Sequence, residues 1–241
     1  MKKANKGKVG IILALAAALS CGSAVAVSEI CSKADNGVVI AAAETNTEVS
    51  ARSMTAEQIA AAWNTAVQES IDTGKQVTFT LEDNWTAPAN GSSTSFGTGT
   101  GFSNGRILVP EGADIVLDLN GHIIDRGLKY KNMVESGGVI YVNRGTLEIT
   151  DAVGEGAITG GNTRYEGGGI YVDGGGMLTL SSGKITGNIS ENGGVAAVAG
   201  GTLEMNGGEI INNTAKDGGG IYVYDCVFTM NDGVISGNTA L

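Results

Sequence analysis

Apolar and polar positions follow one pattern four times between Gly137 and the C-terminus: glycine, an Ile-Tyr-Val-like run, a Leu-x-Leu-like run, then Ile and Asn. The copies of the first run are Gly138-Val139-Ile140-Tyr141-Val142, Gly168-Gly169-Ile170-Tyr171-Val172, Gly194-Val195-Ala196-Ala197 and Gly219-Gly220-Ile221-Tyr222-Val223. Self-similarity at a period of roughly 20 to 50 residues marks an array of like structural units. Period-2 alternation makes each run a strand, with Ile170, Val172, Leu178, Leu180 and Ile185 inward and Tyr171 and Thr179 outward. Stacking like on like gives inward columns such as Leu147, Leu178, Leu203 and Phe228.

The spacing sets the architecture. Leu180, Met205 and Met230 lie 25 residues apart, and each is followed five residues later by Ile185, Ile210 or Ile235. Leu119 with Ile124 reads as an earlier copy, 30 residues before Ile149, which is itself 31 before Leu180. The extra five or six residues then bulge from a turn. Three short strands per period, bounded by Gly or Asn, predict an all-β fold. It is a right-handed, single-stranded parallel β-helix, a solenoid whose coils stack about 4.8 Å apart. The period is too long for a hexapeptide helix and too short for propeller blades of about 40 residues, and the helical half of a leucine-rich repeat is missing.

Upstream, Thr55 stands three residues before Gln58, the spacing of a capping box. Ile59, Ala62, Trp63, Ala66 and Ile71 follow at helical spacing. This predicts an amphipathic helix over about 55–73 that caps the open end of the coils, within a capping segment 53–76. The alternating run Val77-Thr78-Phe79-Thr80-Leu81 opens the repeat region 77–241, and the polar stretch Asn90 to Asn104 reads as a surface loop. At the other end, Asn238-Thr239-Ala240-Leu241 halts where Asn213-Thr214-Ala215-Lys216 runs on into another glycine run. The expectation is an uncapped C-terminal end, a chain that is part of a longer protein, and end-to-end stacking at the last coil.

Lys2, Lys3, Lys6 and Lys8 precede an apolar run from Ile11 to Leu19 and the small residues Ala24-Val25-Ala26. That is the layout of a secretory signal peptide over 1–26, and the run is short of the roughly 20 residues of a membrane span. Ala18-Leu19-Ser20-Cys21 approaches a lipobox with its leucine one place late, so a lipid anchor at Cys21 is the lesser reading. Residues 27–52, rich in Ala, Ser, Thr, Asn and Glu without periodicity, read as a flexible linker. Export to the cell surface or beyond is the expected location.

Composition narrows the function classes. The 39 glycines recur at fixed offsets with only 2 prolines, unlike a disordered tail. The formal charge is −10, from 25 acidic and 15 basic residues. Removing the four leader lysines takes it to about −14, so nucleic acid has no electrostatic reason to bind. Three cysteines at unrelated spacing build neither a disulfide framework nor a zinc site.

The segment Val116-Leu117-Asp118-Leu119-Asn120-Gly121-His122-Ile123-Ile124 resembles a first-coil signature of large surface proteins of Gram-positive gut bacteria. Ala61-Ala62-Trp63-Asn64 leading into Val77–Leu81 resembles their N-terminal cap. Over residues 55–241 the chain is thus similar to secreted bacterial β-helix repeat proteins of the pectin-lyase-like fold, adhesin-like in character. Polymorphic outer-membrane repeats are a more distant likeness, carried by Phe228-Thr229-Met230-Asn231.

The resemblance implies architecture rather than chemistry. Lyases of this fold hold calcium on aspartates beside an arginine base, and glycosidases need paired carboxylates. Here the outward positions matching Glu148 are Thr179, Glu204 and Thr229, and Asp173 has no acid at the matching place in adjacent coils. His122 reads as a surface imidazole, and Arg106, Arg126, Arg144 and Arg164 as solvated charges. No catalytic, cofactor or metal site is expected. Asn188, Asn213 and Asn238, each three residues after an Ile, read as a structural amide ladder at a corner. The glycines before each first strand read as turn residues needing positive φ. Tyr141, Tyr171 and Tyr222 share one outward column broken by Ala196, the candidate contact for surface glycans or for host and matrix proteins. The leading expectation is a non-enzymatic surface protein presenting this face for adhesion. The alternatives are a polysaccharide lyase or hydrolase with its active coils elsewhere, and a passive spacer.

Overall fold

The computed structural model describes residues 54–90, 93–128 and 133–241. The signal-peptide segment, the linker and Cys21 lie outside them. The described residues belong to one compact unit. It is an all-β fold of curled parallel sheets with one N-terminal helix, Ala56–Thr73.

The helix begins where the spacing of Thr55 and Gln58 requires. The Thr55 hydroxyl accepts from the Gln58 backbone N–H, and the Gln58 side chain accepts from that of Thr55, so two otherwise orphan donors are satisfied. Gly74, at φ 60°, ends it. Its buried stripe of Ile59, Ala62, Trp63, Ala66 and Val67 rests on the first strands of the parallel sheet. Trp63 packs edge-on against Phe79 with ring centroids 5.2 Å apart, and Trp85 does the same with Phe96 and Phe102.

Contrary to expectation, part of the Asn90–Asn104 stretch belongs to this cap. Phe96 and Phe102 are buried, and Gly101 accepts from Trp63 Nε1 at 2.9 Å. Asn64 clamps the same segment, donating to Thr98 O and accepting from the Gly101 N–H, both at 2.8 Å. Gly101 fits because an added Cβ would collide with the Trp63 indole. Composition alone hid this, since two aromatics among thirteen small or polar residues carry the packing.

Apart from the two short antiparallel pairs Ala89–Asn90 with Ser93–Thr94 and Phe102–Ser103 with Arg106–Val109, the described strands pair in parallel as the chain returns repeatedly on itself. A leucine stack runs Val77, Ile115, Leu147, Leu178, Leu203 and Phe228 from strand to strand. An isoleucine stack runs Trp85, Ile124, Ile158, Ile185, Ile210 and Ile235. A tyrosine stack joins the strands Arg106–Val109, Ile140–Asn143, Ile170–Asp173, Val195–Val198 and Ile221–Tyr224. A short fourth sheet, beyond the three strands per period expected, links Ile189–Asn192, Thr214–Asp217 and Thr239–Ala240. Ile170, Val172, Leu178, Leu180 and Ile185 are all fully buried, as alternation predicts. Each such side chain contributes about 1.5–3 kcal/mol once neighbouring strands cover it.

One register differs from the sequence reading. Ile149 pairs with Leu117, not Leu119. Both leucines face inward and are fully buried; a shift of two residues preserves the face, so alternation cannot choose between them. Ladder hydrogen bonds decide it, and Leu119 goes into the turn that follows.

The amide ladder is continuous. The Asn188 backbone N–H and side-chain Nδ2 both donate to Asn213 Oδ1, at 3.0 and 3.1 Å. Asn213 repeats the pattern on Asn238 at 2.9 and 3.1 Å, and Asn188 Oδ1 accepts from the Gly161 N–H at 3.0 Å.

The glycines beside this ladder correct the positive-φ expectation. In each later run only the first glycine, such as Gly167 at φ 64°, is left-handed. Gly169 follows because a Cβ there would lie 2.6 Å from Ile185 Cγ2 and 2.9 Å from Asn188 Nδ2. Space, not backbone conformation, selects it.

Candidate functional site

The tyrosine stack turns its inward residues, Ile140, Val142, Ile170, Val172, Val195 and Ala197, into the core. Alternation then sends Tyr141, Tyr171, Ala196 and Tyr222 outward in strict register, with Asn143, Asp173, Val198 and Tyr224 two residues on. The structure divides the predicted tyrosine column. Tyr141 and Tyr171 stack at 5.2 Å with their planes 21° apart. Tyr222 stands beyond Ala196.

Arg106 closes the first end of the stack, its guanidinium carbon 4.4 Å from the Tyr141 ring centroid. Asp173 sits beside the pair and accepts from the Tyr141 hydroxyl at 3.4 Å. Burial, then the charge of Asp173, pushes the pKa of both tyrosines up, and Glu166 adds to the shift at Tyr171. Both phenols therefore remain protonated donors at neutral pH.

Beside Val198 the surface sinks into a trough of about 520 Å³, while Ala196 is fully buried and does not line it. Its walls are Tyr171 and Asp173 on one side and Tyr222 and Tyr224 on the other. Val198 and Ala199 form the floor, and Glu166 and Asp225 the rim. The walls stand two strand spacings apart, roughly 9.5 Å. Three carboxylates and three phenols thus face one open groove, and no basic side chain lines it.

Sequence reasoning found Tyr171 and Tyr222 but missed Glu166, Asp173, Tyr224 and Asp225 as their companions. Asp173 and Tyr224 were legible, since each lies two residues after a column tyrosine and so on the same side. Glu166 comes from an insert and Asp225 from a turn at φ 54°, and no periodicity reaches either.

Two of the arginines expected to be solvated are not: Arg106, which lies against the Tyr141 ring, and Arg126. Arg126 is 2% exposed and donates to Asn104 O and Ser136 O at 3.3 and 3.5 Å. Burial and the neighbouring Arg106 lower its pKa to about 10. It lines a second cleft, of about 220 Å³, with Ser95, Asn104, Leu128 and Ser136. Arg144 does lie exposed, 3.5 Å from Glu111. His122 is half-buried in a turn whose backbone N–H donates to Leu119 O at 2.8 Å.

Among the described residues no His, Cys, Asp or Glu cluster is arranged to hold a metal ion. No helix among them is long and apolar enough to cross a membrane. In comparisons with known proteins, no family model matches the chain, and no curated protein and no solved structure does.

Proposed function

We propose that the stacks are coils of a right-handed parallel β-helix, exported to the cell surface, whose tyrosine stack is a binding face for adhesion. The leader-like N-terminal sequence supports export. Regular returns of the chain at 25 residues, each adding one strand to every stack, support the coil. The trough between Tyr171 and Tyr222 carries the binding reading. Its walls are rigid aromatics on a regular sheet and its floor is made of small residues, so a ligand meets a preformed concavity. The protein acts by contact and not by turnover.

Adhesion of the purified protein to host cells and matrix, compared with a Tyr171→Ala, Tyr222→Ala variant of unchanged circular dichroism, tests this. Loss of adhesion in the variant is expected. Equal adhesion, or release of unsaturated sugars from polysaccharide by the parent protein, overturns it.

A further inference from the structure

We propose that the trough receives an arginine side chain presented by a partner protein. This rests on the binding-face reading above and names the ligand chemistry of that same site. The trough combines two features that suit a flat cation. Aromatic faces attract cations through the ring quadrupole, and guanidinium stacks on them better than ammonium. Glu166, Asp173 and Asp225 add acceptors that a guanidinium fork can meet in pairs.

The molecule already uses this contact once. Arg106 lies over Tyr141 at 4.4 Å, so the tyrosine stack has a guanidinium at its first end. Tyr141 then covers one side of Tyr171, and the next strand carries the fully buried Ala196 in place of a further ring. The trough beside it, over Val198 and Ala199, offers three tyrosines together with carboxylates, and no arginine is in its lining.

Other ligand classes fit less well. The three carboxylates do not converge as metal ligands do. A sulfated or uronic-acid glycan would be repelled by them and by the overall charge of −10. A neutral sugar could stack on the tyrosines but would leave the acidic rim without a role.

The test uses the intact chain and a capped pentapeptide, Gly-Ser-Arg-Ser-Gly, with lysine and citrulline versions as controls. Citrulline keeps the shape of arginine and removes its charge. Binding is followed by calorimetry and by the tyrosine ring signals in NMR at low salt. The arginine peptide should bind about tenfold more tightly than the citrulline peptide and shift the rings of Tyr171, Tyr222 and Tyr224. A Tyr222→Leu, Tyr224→Leu variant, unchanged in net charge, should lose about tenfold, whereas attraction to an acidic surface alone would survive. Equal binding of the arginine and citrulline peptides overturns the proposal without reference to any variant. Should neutral oligosaccharides move these rings instead, arginine is wrong and the binding face stands. If neither class of ligand moves them, both readings fail.

Discussion

Asn213 Oδ1 accepts two hydrogen bonds from Asn188, one from its backbone N–H and one from its side chain. Asn213 in turn donates from Nδ2 to Ile185 O at 2.9 Å. One amide therefore satisfies three groups of the preceding repeat: both Asn188 donors and the Ile185 carbonyl. Both asparagines are fully buried, so water cannot substitute. Asn213→Ala should cost about 2–4 kcal/mol, since the Asn188 donors and a carbonyl lose their partner together. Urea unfolding checks it. A loss below about 0.5 kcal/mol would mean that the ladder relaxes onto other partners.

Glycine positions in this fold answer to two different constraints, and single substitutions separate them. Gly169→Ala should destabilise by about 1–3 kcal/mol, because the new methyl meets Ile185 and Asn188. Ala199 sits at φ 51°, the turn position that Gly174 fills one repeat earlier. Ala199→Gly should therefore stabilise by about 0.5–1 kcal/mol, relieving left-handed strain. Thermal unfolding of the two variants should move in opposite directions.

Trp63 ties the helix to the first strands through Phe79 and Gly101. Trp63→Ala should cost about 3–5 kcal/mol. Trp63→Phe should cost less globally yet release the Gly97–Gly101 segment, which loses the indole N–H bond. Limited proteolysis of the Phe variant should show new cleavage there while the downstream coils stay resistant.

Alkaline pH should weaken the fold partly through Tyr171. Its folded pKa lies above the ordinary phenol value of 10.0, chiefly through burial and then through Asp173. Folded protein thus keeps a proton that the unfolded chain releases above about pH 10, so this contribution is complete below that pH and is lost as pH rises beyond it. Between about pH 9 and pH 11 the urea midpoint of the parent should fall further than that of Tyr171→Phe. Equal falls would show that the phenol titrates as in the unfolded chain.

How much of this was written in the sequence differs from element to element. The helix over Ala56–Thr73 was, because a capping box and a 3.6-residue apolar stripe are local signals. So were the buried Ile, Val and Leu positions and the amide ladder, because repetition at 25 residues places identical groups above one another. The partner of Ile149 was not: Leu117 and Leu119 share a face, and only hydrogen bonding between strands distinguishes them.

The tyrosine face shows the same division. Alternation by itself determined that Tyr141, Tyr171 and Tyr222 point outward in one column, since side-chain direction is a property of the strand. Only the tertiary structure decided that Tyr141 and Tyr171 stack beneath Arg106 while Tyr171 and Tyr222 wall a trough. Glu166 and Asp225 reach that trough from an insert and a turn, whose paths are set by packing against neighbouring strands. Periodicity fixes direction along a strand, and nothing local to the chain fixes what an irregular segment will stand beside.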